Sequence, residues 1–224
     1  MGRMVESMAL QQGHTIAIIL KSNDNLTLQQ RVALLSQAEV AIDFSINAAV
    51  RQNVDACLEA GVPLVEGVTG WPEQLTDVRQ TVQINRGAMV FGANFSIGVN
   101  LFYRFIEHSS KLLAAVGGYE PFIEESHHSR KKDSPSGTAL KINDIVAKFF
   151  PQDISIAATR AGHIPGAHRV GFDSLADTIT LTHTARSREG FVAGALLAAS
   201  WIIGRKGFYE FSEALDEILT PKQD

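Results

Sequence analysis

The chain has 224 residues, of which 45% are hydrophobic and 20% charged, and its formal net charge is −4 at pH 7. This length suits one large domain or two small ones, and the composition excludes an intrinsically disordered chain. The acidic balance argues against nucleic acid as the main partner, so any basic cluster is local and favours a small anionic ligand.

The first half of the chain alternates short apolar runs with helical stretches. Strands are predicted at residues 15–20, 40–44, 62–65 and 88–91, and helices at about 46–60 and 72–84. Gly61 is predicted to cap the first of these helices at its C-terminus. This alternation predicts a parallel sheet with helices on its faces, in which ligands bind at the carboxyl ends of the strands.

Loops that follow predicted strands should share one edge of that sheet. These loops are residues 44–45, 67–70 and 92–96. Each is small or polar, and together they could line a groove for an extended cofactor. Taken singly, each loop is typical of an ordinary turn.

The segment ESHHSRKKDSPSGTAL, residues 125–140, carries the strongest chemical signal. An apolar run ends at its adjacent histidines, and His127 and His128 face apart unless the strand ends there, because side chains alternate along a strand. One histidine can then transfer a proton near neutral pH while its neighbour holds a ligand. Lys131 can supply a positive charge or a second proton.

The PSGT turn of this segment precedes a predicted helix. Ser136 or Thr138 can cap that helix, and its unpaired amides form an anion pocket that Gly137 leaves open. A basic run alone is usually a solvated surface, and PSGT alone is usually an ordinary cap. Their convergence in one segment predicts a site that holds a small, doubly negative substrate and gives it a proton.

The pattern of the second half is different. Residues 177–185 alternate between apolar and threonine positions, which predicts a half-buried antiparallel strand. Residues 121–126, 154–159 and 169–172 are its predicted partners in a mixed sheet. The threonine-rich face is compatible with solvent or with another subunit.

Two features near this sheet are open to simpler explanations. Arg160 is a candidate for bidentate binding of a carboxylate, although a surface ion pair is the more common role. His163 and His168 have no acidic or cysteine companions nearby in the sequence, so no metal site is predicted.

The location of the protein is indicated by three features. The longest apolar stretch, residues 191–203, is shorter than the roughly 18–20 residues that span a bilayer, so it predicts a buried helix. No charged segment followed by an apolar one opens the chain, and Cys57 is the only cysteine. We therefore expect a cytoplasmic protein that binds neither membrane nor nucleic acid and has no disulfide.

The histidine segment resembles the signature of the dihydrodipicolinate reductase family, whose form HHxxKxDxPSGTA is matched here by HHSRKKDSPSGTA. The segments AIDFS, GVTGW, FGANFSIGVN, TRAG and ARSREGFVAGALLAASW also resemble that family, in the same order along nearly the whole chain. The resemblance implies acid–base roles for His127 and Lys131. It implies substrate binding by a second set of residues, His128, Ser136, Gly137 and Thr138.

The resemblance also implies an activity and a fold. The activity is NAD(P)H-dependent reduction of a cyclic unsaturated dicarboxylate, 4-hydroxy-tetrahydrodipicolinate, to tetrahydrodipicolinate in lysine and diaminopimelate biosynthesis. The fold is α/β, with an N-terminal Rossmann-like parallel sheet and a C-terminal α+β domain with a mixed sheet. We expect a dinucleotide-binding domain at 1–96 with 190–224, and a substrate-binding and oligomerisation domain at 97–189, in a homotetramer.

The same resemblance implies contacts to the cofactor, NADPH or NADH. The expected contact residues are Gly2, Arg3, Met4, Lys21, Phe44, Gly67, Val68, Thr69, Gly92, Ala93, Asn94, Phe95 and Arg188. Folds that prefer NAD usually carry an acidic residue where Lys21 stands, at the end of the second strand. NADPH is therefore expected to be accepted at least as well as NADH.

The chain departs from the family at its start. The family has a strand and a glycine-rich turn of the form GxxGRM, whereas this chain opens at MGRMVESMALQQ and matches only the GRM end, Gly2 to Met4. The first strand of the sheet is therefore missing, and we expect it to precede Met1 in the full protein. Two alternatives stay open: a Rossmann-type reductase of another small carboxylate, and a non-catalytic remnant that binds anions.

Overall fold

The computed structural model describes residues 1–21 and 23–220. Helices and strands alternate along these residues. In chain order they are α1 (Gly2–Gln11), α2 (Leu28–Leu35), β1 (Ala41–Asp43), α3 (Val50–Ala60), β2 (Leu64–Glu66), α4 (Pro72–Ile84), β3 (Ala88–Phe91), α5 (Ile97–Val116), β4 (Glu120–His127), α6 (Gly137–Ala147), β5 (Ser155–Arg160), β6 (Ala167–Asp173), β7 (Thr178–Thr184), α7 (Glu189–Ile202), β8 (Gly207–Glu210) and α8 (Phe211–Leu219). The expected α/β class is confirmed.

The chain folds as two compact units. The first consists of Met1–Ile97 and Glu189–Asp224, and the second of Gly98–Arg188. Each contains a sheet of four strands in the described residues. None of the helices there is both long and apolar enough to cross a membrane.

The sheet of the first unit is parallel, in the order β1–β2–β3–β8. Successive side chains of a strand point to opposite faces, so Leu64 packs into a cluster with α3 and α4, and Val65 into a second cluster with α7 and α8. Both faces are therefore covered, as is usual for parallel sheets. Gly61 ends α3 with φ of 70°, a left-handed cap as predicted.

The strand predicted at residues 15–20 is wrong. Residues 14–20 belong to neither sheet in the described chain, and β1 pairs only with β2. An apolar run becomes a strand only where a neighbouring backbone accepts its hydrogen bonds. Here Ile16 packs with the cluster of α1 and α7, and Leu20 with the cluster that includes α2.

The sheet of the second unit is mixed, in the order β5–β4–β6–β7, as expected. β4 is parallel to β5 and antiparallel to β6, and β6 is antiparallel to β7. Apolar residues of α5 and α6, such as Ile106 and Ile142, bury Ile123 and Val170 of the two central strands. The predicted alternation of β7 is confirmed at Leu181 and the residues beside it, although the strand is more exposed than half-buried.

Candidate active site

The carboxyl ends of β1, β2 and β3 form one edge of the first sheet. The N–H of Gly67 donates to the carbonyl of Asp43 over 2.9 Å, and the N–H of Gly92 donates to the carbonyl of Glu66 over 3.1 Å. The three loops that follow these strands therefore begin side by side, as predicted.

Two glycines let these loops pass over aromatic rings. A Cβ on Gly67 would lie 2.1 Å from Cε1 of Phe44, and a Cβ on Gly92 would lie 2.8 Å from Cε2 of Phe95. Both distances are far below van der Waals contact, so any larger residue would have to move a ring. Glycine at both positions therefore lets the backbone lie close to the sheet edge.

The residues predicted to contact a cofactor differ in the exposure of their side chains. The side chains of Val68 and Phe95 lie in the core, where the Phe95 ring packs 4.7 Å from that of Phe211 and 6.1 Å from that of Phe44. Only their backbones can meet a ligand. The other members of the set are exposed or partly exposed, apart from Gly92, and Arg188 belongs to the second unit.

The loop after β2 is anchored by a buried acid that the sequence analysis missed. Glu66 is fully buried, and its Oε1 accepts the N–H of Val68 over 2.7 Å. Burial, and next the charge of neighbouring Asp43, raises the pKa of Glu66 to about 9. Its Oε2 has no hydrogen-bond donor among the described residues, so a proton on Glu66 can be donated to Asp43. The sequence signal that could have revealed this buried acid is a glutamate at the end of an apolar strand.

The second site lies at the end of β4 in the second unit. His127 is the last residue of this strand, which ends where the histidine pair predicted. Its Nδ1 is 3.0 Å from Oε2 of Glu125, but Nδ1 is not aligned for a hydrogen bond to that oxygen. Burial lowers the pKa of His127, so the imidazole is neutral near pH 7. A Cβ on Gly166 would lie 3.1 Å from Nε2, so this glycine leaves room at the other ring nitrogen.

Glu125 connects this histidine to the start of α6. Its Oε1 accepts the N–H of Ser136 over 2.9 Å and Nη2 of Arg160 over 2.7 Å. Arg160 also donates to the carbonyl of Asp133 over 2.6 Å. Its guanidinium is thus paired with a buried carboxylate and not with a surface one, and binding of a ligand carboxylate by Arg160 stays a prediction.

Ser136, not Thr138, caps α6. The hydroxyl oxygen of Ser136 accepts the N–H of Ala139 over 3.2 Å and lies 3.2 Å from Nε2 of His168. Ser136 is buried, whereas a Cβ on Gly137 would meet nothing within 4 Å. Gly137 is therefore the open position at the start of the helix.

A carboxylate of the chain itself lies near this helix start. Nζ of Lys131 lies 2.8 Å from Oδ2 of Asp133, and the backbone of Gly137 is the last among the groups that lower the pKa of this carboxyl. The hydrogen bond from Lys131 comes first among the causes that lower the pKa of Asp133. The N–H of Lys131 donates to the carbonyl of His128 over 3.1 Å, so the loop folds back on the histidine pair. Binding of a ligand anion at this helix start stays a prediction.

The prediction of no metal site rested on the absence of acidic companions near His168 in the sequence. The fold supplies one, because Glu125 of β4 stands opposite His168 of β6 in the antiparallel register. One ligand atom from each of Glu125, His127 and His168 lies within 4.8 Å of the others. The sequence could not show this arrangement, since it depends on strand pairing.

The first unit has a parallel sheet with glycine loops at its carboxyl edge, and the second unit carries a histidine and a lysine beside a helix start. These features are typical of a nicotinamide-dependent oxidoreductase. Sequence models described as the N-terminus and the C-terminus of dihydrodipicolinate reductase match residues 1–95 and 98–215. The chain belongs to the dihydrodipicolinate reductase family, as its motifs indicated.

Similar proteins cover nearly the whole chain. A 4-hydroxy-tetrahydrodipicolinate reductase of Christiangramia forsetii is 30% identical over 97% of this chain and 95% of its own length. One from Methanosarcina barkeri is 36% identical over 80% of this chain and 74% of its own. The solved structure of dipicolinate-bound dihydrodipicolinate reductase from Paenisporosarcina sp. TG-14 has a TM-score of 0.79 at 20% identity, covering 93% of this chain and 92% of that one, and it supports the fold.

Proposed function

We propose that this chain reduces 4-hydroxy-tetrahydrodipicolinate to tetrahydrodipicolinate in lysine and diaminopimelate biosynthesis. The observation that carries the proposal is the carboxylate of Asp133, which Lys131 holds at 2.8 Å beside the start of α6 in the loop that follows His127. This position suits one carboxylate of a small diacid. Relatives that are named for this activity align with most of the chain.

The chemistry needs a proton donor beside a clamped dicarboxylate. In the net reaction, one hydride and one proton enter the ring and one water leaves it. When bound, the reduced nicotinamide supplies the hydride. Lys131, or His127 once its neutral imidazole has taken up a proton, supplies the proton or assists the loss of water, and a positioned acid of this kind contributes about 10²–10⁴ in rate.

The substrate is held by the residues around the helix start. His128, Gly137 and Thr138 bind the carboxylates, and the buried cap Ser136 fixes the helix that presents their amides. Lys131 exchanges its partner from Asp133 to the substrate. This exchange keeps its ammonium charge paired in the free and the bound protein.

The cofactor is held in the first unit. The loops of Gly67–Thr69 and Gly92–Phe95 would hold it, because their glycines bring the backbone close to the sheet edge. We propose that the chain uses NADPH at least as well as NADH. The exposed side chain of Lys21 would not repel the 2′-phosphate of NADPH.

The assembly we propose is a homotetramer in the cytoplasm. Support for the assembly comes from the second sheet, where β5 and β7 expose most of their residues and could pack against another subunit. Support for the compartment comes from Cys57, which is a free and buried thiol.

The test is oxidation of NADPH and NADH by the purified chain with the cyclic dicarboxylate. We expect turnover with both cofactors, and a loss of about 10²-fold or more in His127→Ala, with binding of dipicolinate retained in calorimetry. His163→Ala is the matched control, since His163 is exposed in the loop between β5 and β6.

Undiminished turnover in His127→Ala would remove His127 from catalysis. Binding of dipicolinate without turnover in the wild-type chain, with either cofactor, would instead favour a reductase of another carboxylate or an anion-binding remnant.

A further inference from the structure

Glu125, His127 and His168 form a compact set of metal-ligating side chains in the second unit. Glu125 and His127 are two residues apart on β4 and so project to the same face, and His168 stands opposite Glu125 on β6. The His127 and His168 rings pack edge to face with centroids 5.1 Å apart. Two strands of a sheet therefore hold all three side chains.

The distances within the set suit a transition-metal ion. Oε2 of Glu125 is 3.0 Å from Nδ1 of His127 and 3.7 Å from Nε2 of His168. Zinc bonds of about 2.0–2.2 Å in tetrahedral geometry place neighbouring ligand atoms roughly 3.3–3.6 Å apart. Because the three ligand atoms all lie within 4.8 Å of one another, small side-chain rotations bring them to one ion.

These side chains are buried, and atoms of each lack a hydrogen-bond partner. The exposed fractions are 2% for Glu125, 8% for His127 and 5% for His168. Among the described residues, Oε2 of Glu125 and Nδ1 of both histidines have no hydrogen bond of acceptable geometry. Buried polar atoms without partners are costly, so an ion bound by Oε2 of Glu125 and Nδ1 of His127 removes a real cost. The nitrogen of His168 that faces this oxygen is Nε2, which already lies 3.2 Å from the hydroxyl of Ser136.

The two oxygens of Glu125 differ in their partners. Its Oε1 accepts the N–H of Ser136 over 2.9 Å and Nη2 of Arg160 over 2.7 Å. Arg160 occupies Oε1, which leaves Oε2 for an ion.

We propose that Glu125, His127 and His168 bind one divalent transition-metal ion of the Zn²⁺ class. Two imidazoles and one carboxylate are a ligand set that zinc accepts with a further position left for water. The arginine on the other carboxylate oxygen orients Glu125 from outside, and an ion at Nε2 of His168 would displace the contact of that nitrogen with Ser136. If the proposed function also holds, Zn²⁺ inhibits the reduction, because the ion takes a lone pair of His127.

Metal uptake by the chelator-treated full chain tests the proposal without substrate or cofactor. Co²⁺ is the probe, since its visible absorption reports coordination by protein nitrogen and oxygen, and Zn²⁺ should displace it. We expect one Co²⁺ per chain in the wild type and at least about tenfold weaker binding in His168→Gln. His163→Gln, which changes an exposed histidine, should bind as the wild type does.

The proposal is overturned if the wild type takes up no stoichiometric Co²⁺ or Zn²⁺, or if a folded His168→Gln chain, checked by circular dichroism, binds Co²⁺ as tightly as the wild type. X-ray absorption of the Zn²⁺-loaded wild type gives a second measurement that needs no variant. Scattering from two imidazoles supports the site, and scattering without imidazole overturns it. Neither result depends on turnover of any dicarboxylate.

Discussion

Replacement of Glu66 by glutamine should stabilise the first unit and change how its stability depends on pH. Glutamine is neutral and has nearly the shape of the protonated acid. Its oxygen can accept the N–H of Val68, which lies 2.7 Å from Oε1 of Glu66, and its amide can donate to Asp43. Glu66→Gln therefore keeps the contacts of the loop after β2 and removes the ionisable group.

The magnitude follows from the two pKa values of Glu66. The pKa is raised from its ordinary value of 4.5 to about 9 in the folded chain. Between these values the folded state holds a proton that the unfolded state has lost, so the free energy of unfolding falls as pH rises, by at most about 1.4 kcal/mol per pH unit. From pH 6 to pH 8 the wild type should therefore lose up to about 3 kcal/mol relative to Glu66→Gln.

Urea unfolding followed by tryptophan fluorescence measures this difference. Trp71 and Trp201 are the two tryptophans, and both belong to the first unit, so their emission reports the unit that contains Glu66. Glu59→Gln is the control, because it removes one charge at an exposed position on α3 and leaves the buried acid in place. Its free energy of unfolding should depend on pH as that of the wild type does. A constant gap between Glu66→Gln and wild type from pH 6 to pH 8 would show that Glu66 is already ionised in the folded chain.

Two further substitutions test the start of α6 and the packing of α7. Asp133→Asn should bind dipicolinate several-fold more tightly in calorimetry, because a neutral amide competes less for Gly137 and Lys131; weaker binding would mean that Asp133 instead orders Lys131 for its ligand. Gly194→Ala should lower the free energy of unfolding by about 1–3 kcal/mol, and with it the urea midpoint, since its Cβ would lie 1.8 Å from the carbonyl oxygen of Phe95. Gly190→Ala on the same helix is the control, because the nearest atom to its Cβ is 3.6 Å away; equal midpoints for the two variants would contradict the packing argument.

Parts of the fold could be predicted because local signals mark them at both ends. Pro72 opens α4, and the strand over 88–91 lies between a glycine on each side, so both were predicted with the bounds that the structure has. The apolar run at 15–20 has equally good local signals but forms no strand, because pairing depends on a neighbour and not on composition. Helices α2, α5 and α8 and strand β8 were not predicted.

The candidate site likewise has one part that the local sequence predicts and another part that it does not. The strand end at His127 and the cap at Ser136 belong to one continuous segment, so residue order alone places them together. The pairs of Glu125 with Arg160 and with His168 join different strands of the second sheet. The pair of Asp43 and Glu66 likewise follows from the register of β1 and β2. Side chains brought together by strand register could not be found from spacing.

The two oxygens of Glu125 serve different neighbours: one anchors a helix start and a guanidinium, and the other faces two imidazoles. A shift of this side chain would change contacts with groups from three strands and a helix. Substitutions of the residues that contact it should therefore have strongly non-additive effects on the free energy of unfolding. Divergence of this chain toward a new ligand is therefore easier in the exposed loop between β4 and α6 than in the strand beneath it.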